Sequence, residues 1–176
     1  MKNSEIKVLI RSIPDFPKQG ILFRDITPVL KNPEAFRSVI SKLASHAKKQ
    51  GATAIVSAES RGFILGAALA YKLKLPFVPL RKPGKLPYKT IRQDFTTEYS
   101  TDAFEIHEDA LSSKDRAYIV DDVLATGGTV NAAIALCKKL GAEVSGIGFL
   151  IELKSLNGRK NLGEYAKKVK SIIKYK

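Results

Sequence analysis

The sequence predicts an α/β protein, with a central, mostly parallel sheet and helices on its faces. Short apolar runs suited to strands buried on both faces recur at 54–56, 77–80, 118–120 and 144–150. Segments of helical length follow the first and third of these, over 62–73 and 129–140. Glycines punctuate the alternation at Gly51 and Gly141, where helices are expected to stop. Strand–helix–strand alternation is the pattern of a parallel sheet with covered faces, whose ligands sit at the carboxyl ends of the strands.

Taken in order, Ile6, Leu9, Ile10 and Ile13 share one face of a helix expected over 4–13, which Pro14 and Pro17 close. Asn32-Pro33 is a helix start, with a side-chain cap followed by proline at the first helical position. Phe36, Val39, Ile40, Leu43 and Ala47 then follow at helical spacing. The segment 62–73 is apolar almost all round and suits a buried helix. Residues 81–101 fit no element. They are polar, contain Pro83, Gly84 and Pro87, and form a long loop of the kind that is functional or disordered. The chain reads as one domain, 1–176, with a core over about 32–150 and a mobile loop at about 83–101. The two ends, about 1–31 and 151–176, are expected to pair as a small hood over the ligand edge.

Composition narrows the function classes. A chain of 176 residues with 44% hydrophobic content has room for one sizeable core. No apolar run reaches ~18 residues and no N-terminal apolar run follows a basic segment, so neither a membrane span nor a secretory signal is expected. Cys137 alone cannot form an internal disulfide, which fits a reducing, cytoplasmic setting, and its spacing with Ala133, Leu136 and Leu140 places it in the core. The formal charge of +13 favours anionic partners: nucleic acid, acidic membranes or phosphorylated small molecules. Eight basic residues against one acid, Glu164, lie between Lys154 and Lys176, as a solvated face or as a steering or RNA-contacting patch. Neither His46 nor His107 has a metal-ligand partner at useful spacing.

The most informative stretch is Ala-Tyr-Ile-Val-Asp-Asp-Val-Leu-Ala-Thr-Gly-Gly-Thr at 117–129. An apolar strand ends in two acids, a small Gly-rich turn follows, and a helix begins. Backbone N–H groups in such a turn and at a helix N-terminus converge on an anion. Gly127 and Gly128 allow close approach, Thr126 and Thr129 can donate hydroxyl hydrogen bonds, and Asp121 and Asp122 suit ribose hydroxyls or a cation. A capped turn with acids near a helix dipole is the plainer reading, and it explains one Asp and one Gly better than two of each with two threonines. No G-x-G-x-x-G is present, which disfavours a dinucleotide site.

This stretch resembles the phosphoribosyl-pyrophosphate signature of the type I phosphoribosyltransferase family. The resemblance implies that fold, with a 5′-phosphate held by Ala125, Thr126, Gly127, Gly128 and Thr129, and ribose hydroxyls facing Asp121 and Asp122. It also implies Mg²⁺ held mainly by substrate and water rather than by protein ligands, a mode magnesium favours.

Four further segments resemble the adenine-specific branch of that family. In Gly20-Ile21-Leu22-Phe23-Arg24-Asp25-Ile26-Thr27-Pro28, the Leu22 carbonyl and Arg24 N–H would read the donor–acceptor edge of adenine, with Phe23 against the base plane. A 6-oxopurine would set its oxygen against the Leu22 carbonyl. In Glu59-Ser60-Arg61-Gly62-Phe63, Ser60 and Arg61 would cradle pyrophosphate, in a place where the family often has a strained or cis peptide. Arg81-Lys82-Pro83-Gly84-Lys85 would bring Arg81, Lys82 and Lys85 to pyrophosphate, with Arg81 able to reach a neighbouring subunit. Glu98 and Tyr99 resemble the catalytic loop, with Glu98 handling the adenine proton. The family usually has glycine after this pair and this chain has Ser100, while 88–97 match only loosely. At 151–153, Leu153 would cover the second face of the base.

Together the resemblance implies a homodimeric, cytoplasmic glycosyltransferase of purine salvage, converting adenine and phosphoribosyl pyrophosphate to AMP and pyrophosphate. Two rivals stand beside it. One is the same chemistry on a 6-oxopurine or pyrimidine, which base competition decides. The other is a phosphoribosyl-pyrophosphate sensor acting on RNA or DNA. The +13 charge favours the sensor, but nucleic acid is the lesser expectation because no DNA-binding domain is appended and Glu98 is intact.

Overall fold

The computed structural model describes residues 1–96 and 101–176. The elements run α1 (Asn3–Leu9), β1 (Arg11–Pro14), β2 (Leu22–Asp25), α2 (Thr27–Lys31), α3 (Pro33–Lys49), β3 (Ala54–Ala58), α4 (Arg61–Leu73), β4 (Phe77–Leu80), β5 (Thr90–Thr96), β6 (Thr101–His107), β7 (Arg116–Leu124), α5 (Gly128–Lys139), β8 (Glu143–Leu153) and β9 (Val169–Tyr175). Two 3-10 segments, Lys154–Leu156 and Lys160–Lys168, join β8 to β9.

The central sheet has five strands in the order β4–β3–β7–β8–β9, and every pair is parallel. Successive side chains of a strand point to opposite faces, so β7 feeds two cores. Tyr118 and Val120 pack with α3 and α4, through Leu43, Leu65 and Leu69. Ala117 and Ile119 pack with α5 and the β5–β6 pair, through Ala133, Leu136, Phe104 and Ile106. Cys137 is buried in that second core as a free thiol, and burial pushes it up to about 12. Asn32 caps α3, its side-chain oxygen accepting from the Glu34 and Ala35 N–H groups at 3.1 and 3.0 Å.

Three expectations need correction. The helix expected over 4–13 ends at Leu9, because 11–14 pair antiparallel with 22–25, and that ladder satisfies the backbone better than a frayed last turn. Ile13 therefore faces Phe23 across a two-stranded sheet. The stretch 81–101 is not loop throughout. Residues 90–96 pair with 101–107, and Phe95 stacks on Phe104 with ring centroids 4.9 Å apart. Its polar alternation (Ile91-Arg92-Gln93-Asp94-Phe95) hid a strand with one buried face, which α5 covers.

The third correction concerns the hood. The N-terminal hairpin does stand apart from the main sheet, but β9 is an edge strand of that sheet, hydrogen-bonded to β8, with Ile172 and Ile173 buried. Among the described residues no helix is long and apolar enough to cross a membrane.

Candidate active site

The parallel strands end at one edge of the sheet, and two adjoining clefts open there. The first, of about 420 Å³, is lined by Ala125, Thr126, Gly127, Gly128 and Thr129, by Asp121 and Asp122 at the end of β7, and by Ser60, Arg61 and Lys82. α5 begins at Gly128, so the first-turn N–H groups have no helical partners and carry the positive end of the helix dipole into the cleft. Gly127 sits at φ +94°, in the left-handed region that glycine enters without steric cost.

The turn is buttressed from behind by a segment that sequence reasoning gave to the hood and not to the site. The Asn161 amide donates to the Thr126 carbonyl at 2.9 Å, and the Asn131 amide donates to the Asn161 carbonyl at 3.2 Å. Gly158 lies so close that a Cβ there would collide with the Ala125 carbonyl oxygen. Gly158 and Asn161 are held in turn by Arg159, which forms a two-pronged ion pair with Glu152 at 2.8 and 2.6 Å. Arg159 also donates to the Ala166 and Val169 carbonyls and to the Ser171 hydroxyl. The pair holds the Glu152 carboxyl down at about 2, chiefly through the Arg159 hydrogen bonds.

The two acids differ. Asp122 is buried and paired with Arg61 at 2.9 Å. Asp121 accepts from the Asp122 backbone N–H at 2.8 Å and has no ion pair among the described residues. Burial raises both carboxyls, and Asp121 more, because the neighbouring Asp122 adds repulsion and Arg61 is a smaller influence there. Gly62 makes this packing possible: a Cβ there would stand 2.7 Å from Asp121 Oδ1 and 2.6 Å from Ser57 Oγ. The Glu59–Ser60 peptide is cis, at the place the resemblance singled out.

The second cleft, of about 540 Å³, is lined by Leu22, Phe23, Arg24 and Leu153, all four of the residues expected around a base. It shares Arg61, Val123 and Ala125 with the first cleft, so the two form one continuous depression. Tyr175, Ser155 and Leu156 also line it and were missed, having no motif around them. Arg24 is pinned: its guanidinium carbon lies 3.9 Å from the Tyr175 ring centroid, and it donates to the Ser12 hydroxyl. Leu22 and Arg24 are two apart on β2, so the Leu22 carbonyl and the Arg24 N–H point to the same edge of that strand.

The remaining candidates are distributed less evenly. Lys82 lines the first cleft, its ammonium bonded to Asp102 and its backbone N–H to the Glu59 carboxylate. Arg81 and Lys85 are not among the residues lining either cleft; Arg81 pairs with Glu59 at 3.3 Å. Glu98, Tyr99 and Ser100 lie outside the described residues. Among the described residues no three His, Cys, Asp or Glu side chains converge as a metal cage. The hard oxygens of Asp121 and Asp122 at the cleft fit a magnesium ion that takes most of its ligands from elsewhere.

Residues 25–176 match the model of the phosphoribosyl transferase domain. The chain is 53% identical over 171 residues to the adenine phosphoribosyltransferase of Thermotoga neapolitana, covering 97% of this chain and 99% of that one. It superposes on the crystal structure of adenine phosphoribosyltransferase from Thermoanaerobacter pseudethanolicus with a TM-score of 0.95 at 50% identity, covering 99% and 100% of the two chains. It also superposes on the Giardia lamblia enzyme complexed with 9-deazaadenine, with a TM-score of 0.95 at 38% identity, covering 100% and 99%. The chain therefore belongs to the phosphoribosyl transferase family, within its adenine phosphoribosyltransferase branch.

Proposed function

We propose that this chain transfers the 5-phosphoribosyl group of phosphoribosyl pyrophosphate to adenine, giving AMP and pyrophosphate. The observation that carries this is the shared lining of the two clefts, Arg61, Val123 and Ala125, which puts the turn 125–129 and the cleft of Leu22, Phe23, Arg24 and Leu153 side by side. The bond from adenine N9 to ribose C1 forms as the bond from C1 to the pyrophosphate oxygen breaks. Positive charge develops on the ribose ring in between, as in glycosyl transfer generally.

The residues divide the work of positioning and electrostatics. The turn 125–129 holds the 5′-phosphate and Asp121 and Asp122 face the ribose hydroxyls. The Ser60 and Arg61 backbone, with Lys82, receives the leaving pyrophosphate. Arg81 and Lys85 join it from the same strand end. Phe23 and Leu153 sandwich the base, while the Leu22 carbonyl and Arg24 N–H read its edge. Glu98 takes the proton that adenine loses, and Tyr99 accompanies it over the ribose phosphate. Bound Mg²⁺ would neutralise pyrophosphate charge, held by substrate, water and the Asp121–Asp122 edge.

A homodimer suits the exposed apolar side chains of α4, Ile64 and Tyr71, which a second copy would cover. A cytoplasmic setting suits the free thiol of Cys137.

The test is pyrophosphate release with phosphoribosyl pyrophosphate, Mg²⁺ and each of adenine, hypoxanthine, guanine and orotate. Release with adenine alone is expected; release only with another base would overturn the reading of Leu22 and Arg24. Glu98→Gln is expected to lower turnover by about 100-fold or more, and unchanged turnover would remove Glu98 from the mechanism.

A further inference from the structure

α3 turns a polar face toward the amino-terminal side of the sheet, since its last turn leads directly into β3. Lys42, Ser45, His46 and Lys49 recur there at i, i+3, i+4 and i+7, so they share that face. Lys170, the second residue of β9, stands across from them, and Asn3 of α1 closes one end with its amide bonded to the Ile172 carbonyl at 3.0 Å. These residues line a pocket of about 400 Å³ that shares no residue with the catalytic clefts.

The charge balance of this pocket is one-sided, because no carboxylate lines it. The Lys42 ammonium is occupied, donating to the Met1 carbonyl at 2.9 Å and the Ser38 hydroxyl at 3.1 Å. Lys49 and Lys170 are exposed, and their ammoniums have neither hydrogen bond nor ion pair among the described residues. Elsewhere lysines do find acids, as in Lys82–Asp102, Lys138–Glu164 and Lys168–Glu143. His46 is half-buried at the floor of the pocket, its Nδ1 2.9 Å from the Tyr118 hydroxyl and its Nε2 3.4 Å from the Gln50 amide. Burial first, then the charges of Lys170 and Lys49, hold its imidazole below the ordinary histidine range. The pocket thus presents two uncompensated ammoniums and the Ser45 hydroxyl to one concavity, an arrangement whose self-repulsion an anion relieves.

We propose that the pocket between α3 and β9 is a second anion site, which binds a small phosphorylated molecule through Lys49, Lys170 and the Ser45 hydroxyl. A concavity of about 400 Å³ suits a compact ligand, whereas a nucleic-acid backbone calls for an extended basic stripe. Charge-assisted bonds from lysine to phosphate oxygen are the chemistry the site offers. The inference does not depend on the reaction assigned above.

The chain has two histidines, one in the pocket and one, His107, at the end of β6, so histidine-selective NMR carries its own control. Titrating inorganic phosphate into the full chain at constant ionic strength should move the His46 ring signals saturably, leave those of His107 still, and shift the His46 titration upward. The double variant Lys49→Gln, Lys170→Gln should weaken that binding at least about tenfold and leave turnover with adenine unchanged. Lys170→Gln alone gives the same readout, in smaller measure, should the double variant fold poorly. Signals that drift without saturating, that respond equally to chloride, or that saturate equally in the variants would overturn the proposal. So would a single-stranded RNA oligomer that moves His46 at lower concentration than phosphate, with affinity falling steeply as salt rises.

Discussion

The turn 125–129 and the cleft walled by Leu22, Phe23, Arg24 and Leu153 adjoin, but they are supported differently. Behind the turn stand the 157–162 segment, two side-chain amides and the Arg159–Glu152 pair, itself tied to β8 and β9. The base pocket is closed instead by a two-stranded hairpin whose Leu22 is half-exposed, pinned by Arg24 against Tyr175 and by an edge-on contact of Phe16 with Phe23 at 5.1 Å. The turn is therefore shaped before substrate arrives, at the expense of burying charge. The hairpin has fewer such ties, since it pairs with no strand of the main sheet.

The comparison breaks most readily at Arg159. Arg159→Met leaves Glu152 buried without its partner and should cost about 3–5 kcal/mol in chemical denaturation. The same pair sets an acid limb. Glu152 titrates at about 2 in the folded chain against an ordinary 4.5, so its stabilisation is whole above the unfolded value and lost as pH falls from there through about 2. In Arg159→Met that limb should flatten; an unchanged acid profile would show that the strap adds nothing.

Gly158→Ala is the next largest, since the new Cβ must push the Ala125 carbonyl aside. Overpacking of this kind costs about 1–3 kcal/mol. The KM for phosphoribosyl pyrophosphate should rise while that for adenine holds, and a parallel rise in both would deny that the two sites are separately built.

Asp121→Asn should raise the thermal stability of the ligand-free chain near neutral pH by about 1 kcal/mol while weakening phosphoribosyl-pyrophosphate binding. The sign follows from burial: a carboxyl raised above its unfolded value stabilises below that value and loses the contribution as pH rises through the folded one. A destabilised variant would mean that Asp121 is structural.

The smallest effect belongs to the hairpin. Arg24→Met removes the contact with Tyr175 and should change stability by about 0.5–1 kcal/mol. The adenine KM should rise several-fold with turnover and the phosphoribosyl-pyrophosphate KM unchanged, a split that steady-state kinetics would show.

Legibility in the sequence followed the same divide. The turn could be read because its chemistry is contiguous: strand, paired acids, glycines and helix lie within 117–129, and local backbone geometry alone aims them at one point. Leu22, Phe23, Arg24 and Leu153 could be named only through family resemblance. Tyr175, Ser155, Leu156, Gly158 and Asn161 carry no local pattern that distinguishes them from loop and edge residues.

Periodicity by itself determined the parallel core, because strands buried on both faces and helices packed on them must be apolar at fixed spacing. The glycines and helix start at 127–129 marked a turn with free N–H groups, where an anion is expected. Only the tertiary structure decided that 11–14 would be a strand, that 90–96 would pair with 101–107, and that the last strand would join the main sheet. These segments are short or polar, and their conformation is set by the partner strand that satisfies their backbone rather than by any preference of their own.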